Sequence, residues 1–270
     1  MLPVRAEVGC ALEFEVADHA TLALQVAVGS TAGKRELEEL VVLLDGTPVD
    51  LTELAVGHGG RIHMVEVGAG HLRVDYRAVV HPAVAEPIAP DPAEILVALR
   101  QSRYCPSDTL DGFADLELGS LPDDADRGRA IGEWVHRRLR YEAGSGPLDT
   151  AVDTLLSGRG VCRDFAHLTL TLCRAVGVPA RLAAVYAPGL FPMDFHAVAE
   201  VAVEGGWVVV DSTRLAPRPS LLRIATGRDA ADTAFATTVD GSVELTSFDV
   251  TAFTDADLPT DDHTGPVALP

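Results

Sequence analysis

Residues 158–179 read GRGVCRDFAHLTLTLCRAVGVP, and this stretch decides how the chain is understood. It is a glycine-bracketed turn, then a cysteine, then an apolar periodic run, then a Gly-Val-Pro stop. Gly158 and Gly160 permit backbone angles that a side chain would oppose. From Cys162 onward, Phe165, Ala166, Leu170, Cys173 and Val176 recur at helical spacing, and Gly177-Val178-Pro179 ends the run. Cys162 therefore stands where a turn becomes a helix. Unpaired N–H groups and the positive end of the helix dipole favour a thiolate there. A nucleophile of this kind needs a base and a group to orient the base.

Composition narrows what the chain can do. At 270 residues it has room for two domains, and 47% hydrophobic residues supply a core. A net charge of −19 argues against nucleic acid or an anionic membrane as partner. Four cysteines, at positions 10, 105, 162 and 173, form no CxxC pair and no disulfide-like spacing. The first residues show no signal-peptide pattern, and no run approaches the roughly 20 apolar residues of a membrane span. Cytoplasm is the expected compartment.

Outward from the cysteine helix, the sequence divides into four parts. Residues 1–82 alternate apolar and polar positions (Leu12, Phe14, Val16, then Leu22, Leu24, Val26), with a turn expected near Ala17-Asp18-His19. Short runs at 40–44, 62–67 and 72–80 complete a small antiparallel, sandwich-like β domain. Its His58, His63 and His71 are scattered and read as surface or core residues. Residues 83–100 are a proline-rich linker and a short helix capped by Asp91 before Pro92. Residues 101–253 hold the chemistry, and 254–270 form an acidic tail expected to be flexible.

Within 101–253, an amphipathic helix is expected over 123–141, and a second, over 150–156, delivers the chain to Gly158. After the cysteine helix come strands at 180–186, 197–203 and 207–211, the last two joined by a Gly205-Gly206 hairpin. This is an α+β arrangement, a cysteine helix packed on an antiparallel sheet. Counting outward from that hairpin, His196 falls near Asp211, offset by an amount a diagonal or bulge absorbs. Cys162 as nucleophile, His196 as base and acid, and Asp211 as orienter make an acyl-transfer constellation.

Other residues were weighed against these. Cys105 precedes Pro106 and is biased toward extended backbone. Cys173 sits mid-helix on the apolar stripe and reads as core. A metal shared by Cys162 and Cys173 would have to bridge about 16 Å of helix, and His167 lies roughly 140° around the axis from Cys162. Asp164 has two open readings, as a helix-starting group or as a support for the site. The loop 190–195 reads as a packed loop before a strand, with a rim beside His196 as its other reading.

These residues carry a resemblance to the bacterial transglutaminase-like superfamily. The motifs are GVCRDFAHL (160–168), CRAVGVPARL (173–182), FHAVAEV (195–201), GWVVVDST (206–213) and GRDAADTA (227–234), with SRYCPSD (102–108) upstream. The resemblance implies a papain-like core behind a small β domain, and it carries a Cys-His-Asp triad onto Cys162, His196 and Asp211. Such proteins include amide cross-linkers, deamidases, proteases, peptide N-glycanases and forms without catalysis. One departure is Val198, where many relatives have an aromatic residue, a change expected to affect the acyl-acceptor side of the cleft. The calcium dependence of animal enzymes does not carry over. The acidic tail lacks an EF-hand loop's glycine and terminal glutamate. The expectation is a cofactor-free and metal-free cysteine enzyme acting on an amide of a peptide or protein, with hydrolysis favoured over cross-linking. The other reading is a binding or scaffold module without turnover.

Overall fold

The computed structural model describes residues 5–85, 87–121, 126–203 and 205–270. The alternating N-terminal sequence forms β1 (Ala6–Leu24), β2 (Gly33–Leu44), β3 (Thr47–Pro48), β4 (Thr52–Ala55), β5 (Arg61–Val67) and β6 (Gly70–Pro82). The turn expected at 17–19 is instead an irregularity inside one long strand, β1. The reason is phase: Leu12, Phe14 and Val16 share a parity with Ala20, Leu22 and Leu24, so both halves bury the same face without reversing. The first half of β1 pairs with β6 and the second half with β5. Asp45 and Gly46, at φ 49° and 79°, supply the left-handed turn between β2 and β3.

Beyond the proline-rich segment lie α1 (Pro92–Ala98), α2 (Asp111–Leu118), α3 (Arg127–Arg138), β7 (Arg140–Tyr141), α4 (Ala151–Ser157) and β8 (Arg159–Gly160). Asp91 caps α1 as expected, accepting from the N–H groups of Ala93 and Glu94. The start expected for α3, at Asp123, falls on residues 122–125, outside those described. Then come α5 (Cys162–Ala175), β9 (Ala180–Tyr186), β10 (Phe195–Val203), β11 (Gly206–Val210), β12 (Leu222–Gly227), α6 (Ala230–Thr233) and β13 (Ala236–Thr254).

The second sheet is antiparallel, in the order β11-β10-β9-β12. Val203 pairs with Gly206, so Gly206 belongs to β11 rather than to the hairpin turn. One face of the sheet receives α5 through Ala180, Leu182, Ala199, Val201, Val208 and Val210. Residues 164–174 of α5 are all buried, so polar side chains there must find partners. Thr169 and Thr171 bond carbonyls one turn back, at 2.8 and 2.7 Å, and Arg174 holds the carbonyl of Ala180 at the start of β9.

Two segments sit differently from the sequence-based boundaries. Residues 236–253, placed with the second domain, form β13 and pair with β1 along nearly its whole length. Most of β13 is exposed, so its pairing rests largely on backbone bonds, and the short alternation Phe248-Val250-Ala252 buries Val250 and Ala252 in the shared core. The expected flexible tail is docked: Asp261 takes a two-pronged ion pair from Arg218, the N–H of Val209 donates to Val267, and Leu269 is buried. The first sheet, with β13, shares a core with Tyr186, Leu222 and Ile224 of the second. The layers are therefore sheet, sheet and helices.

Candidate active site

The turn before α5 is fixed by several constraints. Gly158 closes α4 in the left-handed region, at φ 67°. Tyr141 pairs with Gly160 in the short parallel β7–β8 ladder. Gly160 is required for space rather than for its backbone angle, since a Cβ there would lie 2.5 Å from the Cβ of Asp164. Asp164 resolves to its helix-starting reading: its Oδ2 accepts from the Val161 N–H at 2.9 Å, and Arg163 pairs with its Oδ1. Its carboxylate turns back along the helix start, where it complements the dipole.

Cys162 occupies the first position of α5, half-buried, with its Sγ 3.9 Å from the Phe195 carbonyl. The other three cysteines are fully buried. Burial pushes the Cys10 and Cys173 thiols up to about 12 and the Cys105 thiol to about 11. Cys173 packs in the core as expected, and Cys105 is a buried thiol directed at the His167 carbonyl.

His196 and Asp211 come together as the hairpin count suggested. With Ala199 opposite Val210, Asp211 lies diagonal to His196, and Nε2 meets Oδ2 at 3.0 Å. A carboxylate only accepts, so Nε2 carries the hydrogen. The other Asp211 oxygen accepts from the Thr213 N–H at 2.9 Å and from its hydroxyl at 2.7 Å. Thr213 was present in the GWVVVDST motif but had not been singled out. The remaining ring nitrogen of His196, Nδ1, is buried and, among the described residues, has no partner within hydrogen-bonding distance. Burial opposes the imidazolium. The charge and hydrogen bond of Asp211, with a contribution from Cys162, overcome that and raise the pKa of His196 to about 10. Burial likewise works against the Asp211 carboxylate, and His196 and Thr213 reverse the effect and hold its pKa low.

Tyr141 is a neighbour of Cys162 that the sequence reading missed. Its ring leans on Phe165, with 5.9 Å between centroids, and its phenol lies close enough to Cys162 to feel its charge. Desolvation first, then the thiol's charge, pushes the phenol up to about 12. The helix expected over 123–141 ends at Arg138, and Tyr141 stands three residues later on the two-residue strand β7, which has no periodic signal. Its ladder partner, Gly160, lies nineteen residues further along the chain, two before Cys162.

A cavity of about 410 Å3 opens at Cys162 and His196. Phe195, Phe235, Phe248, Leu182, Ile224 and Tyr104 contribute to its walls. Tyr104 and Asp229, from the SRYCPSD and GRDAADTA motifs, are joined by a 2.8 Å bond from the Tyr104 N–H. His167 lies behind this junction, stacked on Tyr104 and accepting from the Ala230 N–H, with burial lowering its pKa to about 4. Val198 does not reach the cleft; it is buried with Ala183 and Leu221, which removes the expected effect on an acceptor side. A larger cavity, about 520 Å3, lies between the proline-rich segment and the tail, away from these residues.

His58, His63 and His71 sit beside Glu94, Glu53 and Glu13. Among the described residues, no group of three or more His, Cys, Asp or Glu side chains could hold a metal ion. No helix among them is long and apolar enough to cross a membrane.

Comparisons with known proteins place the chain by family and fold. A family model described as "Transglutaminase-like superfamily" matches residues 115–212, a span that includes Cys162, His196 and Asp211. The crystal structure of a "Putative Cysteine Protease" from Cytophaga hutchinsonii is similar over 97% of this chain and 95% of that one. The two share 31% identity, with a TM-score of 0.87. "Uncharacterized protein ML0607" of Mycobacterium leprae is 33% identical over 118 residues, 39% of this chain and 41% of that protein. The match thus spans about two fifths of that curated relative. The periplasmic domain of TgpA from Pseudomonas aeruginosa is similar over 78% of this chain and 91% of that one, at 21% identity and a TM-score of 0.42.

Proposed function

The chain belongs to the transglutaminase-like superfamily, and from that premise we propose that it is a cysteine-dependent acyl-transfer enzyme acting on an amide bond of a peptide or protein. One observation carries the reading. His196 is buried, tied through Nε2 to Asp211, and left with Nδ1 unpartnered among the described residues, beside a half-buried thiol at a helix N-terminus.

The reaction divides into two halves. The Cys162 thiolate attacks the amide carbonyl and forms a C–S bond, and the electron pair moves onto oxygen. The Cys162 N–H and the Tyr141 hydroxyl stabilise that oxyanion. His196, as imidazolium, gives its Nδ1 proton to the nitrogen as the C–N bond breaks, and the amine leaves. Water then attacks the thioester, His196 takes its proton, and the thiolate is released. Asp211 holds the ring orientation and the charge throughout, itself held by Thr213. Of the two outcomes, hydrolysis and transfer to a second amine, hydrolysis is the one proposed. A reducing compartment, the cytoplasm, suits four free thiols.

The test is the rate of iodoacetamide labelling of each cysteine against pH, read by mass spectrometry, in the wild type and in His196→Ala. Cys162 should label much faster than the buried Cys10, Cys105 and Cys173, and lose that advantage without His196. Labelling of Cys162 that is slow and indifferent to His196 would replace this reading with a non-catalytic binding module.

A further inference from the structure

The cleft beside Cys162 is unusual in how little polarity it offers. Arg163 turns its guanidinium to Asp164 and the Gly146 carbonyl. The amide nitrogen of Gln25 is committed to the carbonyls of Asp232 and Ala234, and the Thr233 hydroxyl to that of Asp229. Asp194 accepts from the Phe195 N–H. Asp194 and Tyr104 also border the cavity, but most of its wall is hydrocarbon, centred on three rings. Phe195 stacks on Phe235 at 5.1 Å between centroids, and Phe235 on Phe248 at 6.5 Å.

This aromatic row is anchored at its inner end. Phe195 meets Tyr186 at 5.7 Å, and Tyr186 meets Tyr76 at 6.2 Å, inside the core shared by the two sheets. Tyr186 is fixed by a 2.8 Å bond to the Val26 carbonyl and Tyr76 by one of 2.9 Å to Glu38. The outer end is open: Phe248, on β13, is 47% exposed. An apolar wall held rigid on one side and exposed on the other lacks its last layer.

Chemistry says which part of a substrate belongs there. During the reaction the amine must diffuse away before water arrives, whereas the acyl fragment stays bonded to sulfur. A walled cavity at the nucleophile therefore serves the fragment that is retained. Resting on the reading above, we propose that the substrate amide carries a large apolar or aromatic side chain on its acyl side, received by Phe195, Phe235 and Phe248, with Phe235 and Phe248 setting the preference. The N-terminal sheet acquires a role on this account. It holds β13, and with it Phe248, against the cleft, and Gln25 from the end of β1 pins the 232–234 segment beside Phe235.

The experiment uses N-acetyl-X and N-acetyl-X-alanyl chloromethyl ketones, with X phenylalanine, leucine, alanine, aspartate or lysine. The thiolate displaces chloride, forming a C–S bond that mass spectrometry locates at Cys162. In at least one series, phenylalanine and leucine probes should react on the order of 10- to 100-fold faster than alanine, the range expected for burying such a side chain. Aspartate and lysine should be no faster than alanine. Phe248→Ala should lower the phenylalanine-to-alanine ratio about fivefold or more, and Phe248→Leu should recover most of it. Phe235→Ala is the more disruptive companion, and unchanged iodoacetamide labelling at Cys162 checks that each variant keeps its site. Rates within about twofold across X, or a ratio indifferent to both positions, with iodoacetamide labelling still fast and His196-dependent, would overturn the specificity and leave the enzyme reading standing. Slow, His196-independent labelling would overturn both.

Discussion

Strand β10 carries two buried charged clusters, and they are built to different ends. At one end His196 pairs with Asp211; four residues on, Glu200 pairs with Arg181 and Arg223. The Glu200 cluster is closed. Three guanidinium N–H bonds of 2.8 Å reach its two oxygens, Arg181 lies over the Trp207 ring at 4.1 Å, and Arg223 also bonds Thr226. The His196 cluster is closed on one side and open on the other, because Asp211 is held by His196 and Thr213 while Nδ1 has no partner among the described residues. A buried polar atom without a partner costs stability. The closed cluster organises the sheet, and on the proposed reading the open one is completed by the reacting group.

That contrast can be broken most directly at His196. His196→Gln can still hydrogen-bond Asp211 but cannot shuttle a proton. It should lower kcat/KM on any amide the enzyme turns over by about 10⁴-fold, with a modest change in the urea midpoint. Retained turnover would mean the open nitrogen is not the base. Glu200→Ala should do the reverse. Two buried guanidinium groups lose their counter-ion, at a cost of about 3–5 kcal/mol in urea unfolding, while Cys162 in the folded fraction still labels with its His196-dependent rate. Tyr141→Phe removes one hydroxyl beside Cys162 and should reduce kcat about 100-fold with little change in KM. An equal fall in iodoacetamide reactivity would instead mark Tyr141 as a thiol-positioning residue.

The smallest expected effect is in the slopes of stability against pH, and it separates the clusters by sign. Burial alone would raise the Glu200 pKa, but Arg223 and Arg181 bring it to about 2, below its ordinary 4.5. Its contribution is complete above about 4.5 and is lost as pH falls toward 2. His196 is shifted the other way, from 6.5 to about 10, so its contribution is complete below 6.5 and is lost as pH rises toward 10. Urea midpoints across pH should show Glu200→Gln flattening the acid limb and His196→Gln the alkaline one. Variants that flatten the same limb would mean the two clusters are not independent.

Much of the site was legible because its grammar is local. A glycine turn, a cysteine at a helix start and a two-strand hairpin each leave a signal within a few residues. The pairing of His196 with Asp211 followed from counting along that hairpin, even though the turn was one residue out of place. Thr213 and Tyr141 escaped notice for lack of any such period. Thr213 acts through a side-chain bond just past a strand, and Tyr141 through a two-residue parallel ladder to Gly160.

The long-range architecture divides the same way. The sequence by itself determined the cysteine helix, the antiparallel sheet beneath it and the alternating N-terminal strands, since apolar period and turn residues are properties of neighbours in the chain. Only the tertiary structure decided that β13 returns to β1, that the acidic tail docks through Asp261 on Arg218, and that Phe248 meets Phe235 at the cleft. A strand that is exposed for most of its length joins a sheet largely through backbone N–H and C=O groups, which every residue type supplies alike. Its partner is fixed by which edge the rest of the fold leaves unpaired.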